Sequence, residues 1–191
     1  MAKPWIDEST INEVGAVLRS GWIVQGSQVS AFEEAIAGHH RISEAVAVSS
    51  ATAGLHLAYL AFDPLPGAPC FIPSFAWPSA ANMAVQTGLR PVFVEVDPST
   101  YNLTGSSLQA AIQSEKLSGQ DLTGGIVVAV HEFGLCAPMP EVIAVAEKHG
   151  LMVIEDAACA FGATLNGSPA GHFGKMAVFS FHPRKSMTTG E

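Results

Sequence analysis

Five short apolar runs, separated by stretches of helical periodicity, constrain this chain more than any other feature. Cys70–Ile72, Val92–Val96, Ile126–Val130, Leu151–Ile154 and Met176–Phe181 are rich in β-branched or apolar residues, and a further run at Ala45–Val48 precedes them. Uninterrupted apolar strands, without polar alternation, are buried on both faces. Helices are predicted between them at 52–62, 79–87, 106–115 and 140–149, the last closed by Gly150. Such alternation predicts an α/β fold, a three-layer α/β/α arrangement around a mainly parallel sheet. Two amphipathic segments come first. Thr10 and Glu13 form a capping box for Ile11, Val14, Val17 and Leu18; Ser27 caps a run with Val29, Phe32 and Ile36; Gly21 and Gly38 are expected to stop them. A boundary is expected near residue 40, dividing an N-terminal helical arm (1–40) from the sheet domain (41–191).

Composition narrows the function. Hydrophobic residues make up 48% of the 191 and charged residues 14%, far from the composition of disordered chains. The longest aliphatic run, Ile126–Val130, is much shorter than the roughly 20 residues a membrane helix needs, and the start Met1–Trp5 lacks an apolar leader core. A cytoplasmic protein is expected. The net charge of −8 disfavours nucleic acid and anionic lipid as partners and leaves a small molecule. Cys70, Cys136 and Cys159 form no local pair, and the adjacent His39 and His40 have no ligand-spaced companions, so neither a disulfide framework nor a metal centre is expected.

In an open parallel sheet, ligands bind beyond the carboxyl ends of the strands, and five places there stand out. Ser49-Ser50-Ala51-Thr52 opens a helix and offers hydroxyls and backbone N–H groups to a phosphate, although serine and threonine there are more often plain N-caps. Asp156 follows a buried strand, where a carboxylate needs a cationic partner; its rival role is capping a helix over 157–161. Lys185 follows Phe179-Ser180-Phe181 on a polar turn, as a Schiff-base amine or as a solvated surface group. Trp77 is either a stacking face or a core residue, and His131 either a site residue or a satisfied buried histidine. No GxGxxG or Walker lysine motif occurs, so a Rossmann oxidoreductase is disfavoured. Together, a phosphate-binding helix start, a stacking aromatic, a buried aspartate and a lysine are what pyridoxal phosphate requires.

Ser20-Gly21-Trp22 with Gly26 and Phe32-Glu33, Val48–Ala53, Pro73–Trp77, Pro91–Asp97, His131 with Gly134, Glu155–Ala158 and the closing Phe179–Lys185 with Thr188–Glu191 resemble the N-terminal, larger part of DegT/DnrJ/StrS-type sugar aminotransferases. The resemblance runs over nearly the whole chain. It implies the aspartate aminotransferase-like (fold type I) large domain, incomplete here, with the small C-terminal domain absent and the isolated chain weakly stable or inactive. It also implies pyridoxal 5′-phosphate as cofactor, with Lys185 forming the Schiff base and moving the proton. Asp156 would pair with the pyridine nitrogen, Trp77 would stack on the ring, and the Ala51 and Thr52 amides with the Ser180 hydroxyl would hold the phosphate. Cys159 stands where glutamine is common in the family, next to the cofactor. The implied reaction moves an amino group from an amino-acid donor, glutamate, to a nucleotide-linked keto-sugar, in a homodimer when full length. Lysine at 185 disfavours the family's dehydratase branch, in which histidine takes that place. The competing reading is a non-catalytic or truncated relative with a regulatory or cofactor-binding role.

Overall fold

The computed structural model describes residues 3–190; Met1 and Ala2 of the start, and Glu191 of the closing motif, lie outside the described residues. In chain order the elements are α1 (Glu8–Ser20), α2 (Ser27–His40), α3 (Ala51–Ala61), β1 (Pro69–Pro73), α4 (Ser79–Gln86), β2 (Arg90–Val94), α5 (Gly105–Leu117), β3 (Ile126–Val130), α6 (Met139–Lys148), β4 (Met152–Asp156), β5 (Thr164–Leu165), β6 (Ser168–Pro169) and β7 (Met176–Val178). Five strands form one sheet in the order β2-β1-β3-β4-β7, with every pairing parallel; β5 and β6 form a separate antiparallel ribbon.

Strand periodicity divides the core in two. Cys70, Ile72, Ile126, Val128, Val130 and Ile154 pack with Leu55 and Tyr59 of α3 and Ala80 and Ala84 of α4. The alternate residues Phe71, Val127, Ala129 and Val153 pack with Leu108 and Ile112 of α5 and Val142 and Ala146 of α6. Side chains at successive positions of a strand point to opposite faces, so unbroken apolar runs need a helical layer on each side. That is the expected α/β/α sandwich.

The register aligns the ends of the central strands, Val130 with Asp156 and Asp156 with Val178, so the loops that follow emerge along one edge. Chain order also reverses at β1: the chain passes to β2 on one side and then to β3 on the other. Such a switch point opens a crevice beyond the strand ends.

Several local expectations are corrected. Ala45–Val48 forms no strand, because the Ala47 N–H donates to the Glu33 carboxylate at 2.7 Å rather than to a neighbouring strand. The strand expected over Val92–Val96 runs from Arg90 to Val94, in step with β1; that expected over Leu151–Ile154 runs on to Asp156; and Met176–Phe181 pairs only to Val178. Asp7, not Thr10, caps α1, accepting the Thr10 N–H at 2.8 Å. α2 starts after Gly26, with no side-chain cap from Ser27. Gly21 ends α1 in the left-handed region, whereas α2 passes Gly38 to His40, whose buried ring donates from Nδ1 to the Ala170 carbonyl at 2.8 Å and draws the last turn inward.

Candidate active site

The loops beyond β1, β3, β4 and β7 and the start of α3 surround a cleft of about 1840 Å³. All seven residues singled out in the sequence, Ala51, Thr52, Trp77, Asp156, Cys159, Ser180 and Lys185, line it. The α3 start contributes backbone donors. Ser50 is the N-cap, its hydroxyl accepting the Ala53 N–H at 3.2 Å, while the Gly54 N–H reaches the Ser50 carbonyl at 2.9 Å. The first N–H groups of a helix have no acceptor within it. Those of Ala51 and Thr52 therefore remain for an anion, and the helix dipole favours one there.

Asp156 ends β4 and is 7% exposed. Its Oδ1 accepts the Ala158 N–H at 3.1 Å, but 157–161 forms turns rather than the helix considered as its alternative role. Burial raises its carboxyl above the ordinary value, against the opposing pull of the Ala158 bond, Lys185 and His131. Such a carboxylate suits a ligand bearing a positive charge. Its chemistry thus fits a protonated pyridine nitrogen, and the α3 donors fit a phosphate.

Lys185 rides a loop fixed at its base. The Phe181 carbonyl accepts both the Thr188 hydroxyl, at 2.8 Å, and the Thr189 N–H, at 3.1 Å, while the Phe181 ring meets Phe32 edge-on, centroids 5.1 Å apart. Lys185 Nζ donates to Cys159 Sγ at 3.0 Å. Ser180 is buried, its Oγ accepting the His182 N–H at 3.4 Å. Trp77 is 79% exposed, so the core-packing alternative does not hold.

His131 takes the satisfied role. Its Nδ1 accepts the Ala137 N–H at 3.1 Å, so Nε2 carries the proton and donates to Glu155 at 2.8 Å. Glu155 also accepts from Gly171, Phe173 and Gly174 N–H groups at 2.8, 2.7 and 2.6 Å. Burial would raise its carboxyl, yet the bonds from His131, Gly174 and Gly171 outweigh it and hold the group below its ordinary value. Sequence reasoning assigned no role to Glu132. It lies half a turn beyond β3, nearly buried, in the cleft wall. Burial and the neighbouring Asp156 raise its carboxyl, with Lys185 opposing. Its residue type and place after a strand were the available signal.

Comparison with known proteins defines the class: the profile of the DegT/DnrJ/EryC1/StrS aminotransferase family matches residues 4–191, and the chain belongs to that family. A UDP-4-amino-4-deoxy-L-arabinose–oxoglutarate aminotransferase of Shewanella sediminis is 37% identical over all of this chain and 47% of its own length. GDP-perosamine synthase of Caulobacter vibrioides is 35% identical, over 100% of this chain and 50% of its own. Among solved structures, an aminotransferase from Psychrobacter cryohalolentis matches with a TM-score of 0.88 and 30% identity, over 100% of this chain and 47% of its own. The PLP form of a putative sugar aminotransferase, Spr1654 of Streptococcus pneumoniae, gives 0.88 at 25% identity, over 98% and 50%. The chain spans about half the length of the relatives it matches.

Proposed function

We propose that the protein carrying this chain is a cytoplasmic, homodimeric pyridoxal-phosphate aminotransferase that moves an amino group from glutamate to a nucleotide-linked keto-sugar. The observation that carries this reading is a buried, cation-seeking Asp156 and Lys185 in one cleft with the donor end of α3. The names of the relatives, which include UDP- and GDP-linked sugar enzymes, support the substrate class. When bound, the cofactor supplies an electron sink that takes up an amino group from one substrate and releases it to another.

The residues of the chain divide the remaining work. Asp156 holds the positive charge of the ring nitrogen, and Trp77 offers a flat face to the ring. The Ala51 and Thr52 N–H groups and the Ser180 hydroxyl hold the phosphate. Lys185 is the covalent attachment point and the base that moves protons at Nζ. Cys159 keeps that amine within the cleft by accepting its hydrogen bond. The 1–40 segment serves as an arm to the 41–191 cofactor domain: α1 buries none of its residues, while α2 docks on the domain through Phe32 and His40.

Incubation with pyridoxal phosphate, borohydride reduction and peptide mapping tests the reading, with Lys185→Ala as control. A reduced adduct confined to Lys185 supports it. A folded protein without an adduct would favour a non-catalytic relative, and deoxygenation of the sugar without amine transfer would favour the dehydratase branch.

A further inference from the structure

Three aromatic side chains outside the cofactor residues meet at the sheet's switch point: Phe75 after β1, Tyr101 after β2 and Phe133 after β3. Their ring centroids lie 5.0 Å (Phe75 to Tyr101), 5.8 Å (Tyr101 to Phe133) and 6.1 Å (Phe75 to Phe133) apart. All three are exposed, Phe133 to 71%, and Phe75 and Phe133 line the cleft. Tyr101 and Phe133 both hold left-handed backbones, φ 60° and 53°, a conformation uncommon for bulky side chains. Strain of this kind persists where the surroundings over-determine it, and it clusters at ligand sites.

Here the clamp is Asn102. Buried between the two loops, it donates from Nδ2 to the Leu135 carbonyl at 3.0 Å and accepts the Glu132 N–H on Oδ1 at 2.9 Å. It ties the residue after Tyr101 to the turn that carries Phe133. Tyr101 meets Phe133 at 85°, which buttresses the ring at its edge or face and holds its plane while most of it stays open. A polypeptide gains nothing in stability from holding an open aromatic ring on a strained turn.

We propose that Phe75, Tyr101 and Phe133 form the stacking platform for the base of a nucleoside diphosphate-linked substrate, with Phe133 as the contact face. This rests on the function proposed above and adds to it a base-binding subsite. Stacking tolerates any base, because every base has a π-face, and relatives bearing UDP and GDP in their names are 37% and 35% identical to this chain. A platform of this kind would accept uracil or guanine alike.

Calorimetric titration of the full-length, cofactor-loaded protein with UDP, GDP and inorganic pyrophosphate tests it, in wild type, Phe133→Leu and Phe133→Trp. Leucine keeps apolar bulk and the same backbone demand but removes the π-face; tryptophan restores the face. Phe133→Leu should weaken UDP and GDP binding about 10-fold or more and leave pyrophosphate unchanged, whereas Phe133→Trp should stay within about 2-fold of wild type. Unchanged nucleotide affinity in Phe133→Leu overturns the platform, as does an equal loss for pyrophosphate or a change in oligomeric state in place of affinity. Borohydride mapping on the same samples separates the two readings. An adduct at Lys185 without a nucleotide effect sinks only the platform; a wild type without an adduct sinks the function and the platform with it.

Discussion

Replacing Glu155 with glutamine should destabilise the protein far more than the loss of one charge suggests. Each carboxylate oxygen of Glu155 faces two donors: Oε1 the N–H groups of Phe173 and Gly174, Oε2 the Gly171 N–H and His131 Nε2. A glutamine has one acceptor oxygen, so whichever way it is flipped its NH2 meets a pair of donors. His131 cannot relieve the conflict by changing tautomer, because a proton on Nδ1 would then face the Ala137 N–H that Nδ1 now accepts. Two buried donors left without an acceptor cost about 1–3 kcal/mol each, about 2–6 kcal/mol together. For a chain of this size that lowers Tm by about 10 °C. Urea denaturation followed by circular dichroism, Glu155→Gln against wild type, measures it. The double variant with His131→Ala should lose less than the sum of the two single losses. A loss below about 1 kcal/mol at unchanged m-value would refute the reasoning.

Acid should act through the same residue. Glu155 titrates near 4.5 when unfolded and lower when folded, so its contribution is fully present above about pH 4.5 and is lost as pH falls through the folded value; Glu155→Gln should flatten the stability–pH curve in that window, and an unchanged slope counts against the assignment. Gly174→Ala should cost about 1–3 kcal/mol in the same denaturation assay, since a Cβ there would lie 2.9 Å from the Val153 carbonyl oxygen and 3.2 Å from that of Met176. Asp156→Asn should weaken cofactor retention and so lower the yield of the borohydride adduct, yet leave the cofactor-free protein as stable or about 1 kcal/mol more so at pH 7, because it removes a charge that burial disfavours. A destabilised Asp156→Asn apoprotein would show instead that the carboxylate is already satisfied within the fold.

The layered architecture was legible because its cause is local. Ile126–Val130 is apolar at every position and forms β3 over those same residues, and the helices predicted at 52–62, 79–87, 106–115 and 140–149 appear with ends shifted by at most two residues. What failed depended on partners distant in sequence. Ala45–Val48 has strand composition, yet Glu33, from α2, takes the N–H a ladder would have used. Gly38 looked like a stop, but burial of His40 against Ala170 carries α2 past it. In the cleft, residues of distinctive chemistry could be named from sequence, and the strand ends gather them at one edge. Glu132 offered only its residue type and its place after a strand, its burial being a property of the fold, and the Phe75–Tyr101–Phe133 cluster could not be found that way, since it is defined by the meeting of three loops. Phe133's left-handed turn leaves no mark in its own residue type.

Glu155 and Asp156 show how a parallel sheet separates structure from chemistry within two consecutive residues. Alternation along β4 places Asp156 with Ile154, on the face covered by α3, and Glu155 with Val153, on the face covered by α5 and α6. Both carboxylates are buried, and burial alone pushes both upward. The outcome differs because of what each face supplies. On Glu155's side the loop before β7 and His131 supply four donors, enough to satisfy both oxygens and to reverse the push. On Asp156's side the described residues supply one N–H, from Ala158, and the site then opens into the cleft. A carboxylate left short of partners at the mouth of a strand is costly for the fold by itself, and a cationic ligand relieves that cost. Glu155, by tying the 171–174 loop and His131 together behind β4, holds the strand end in place so that Asp156 keeps its position at the cleft.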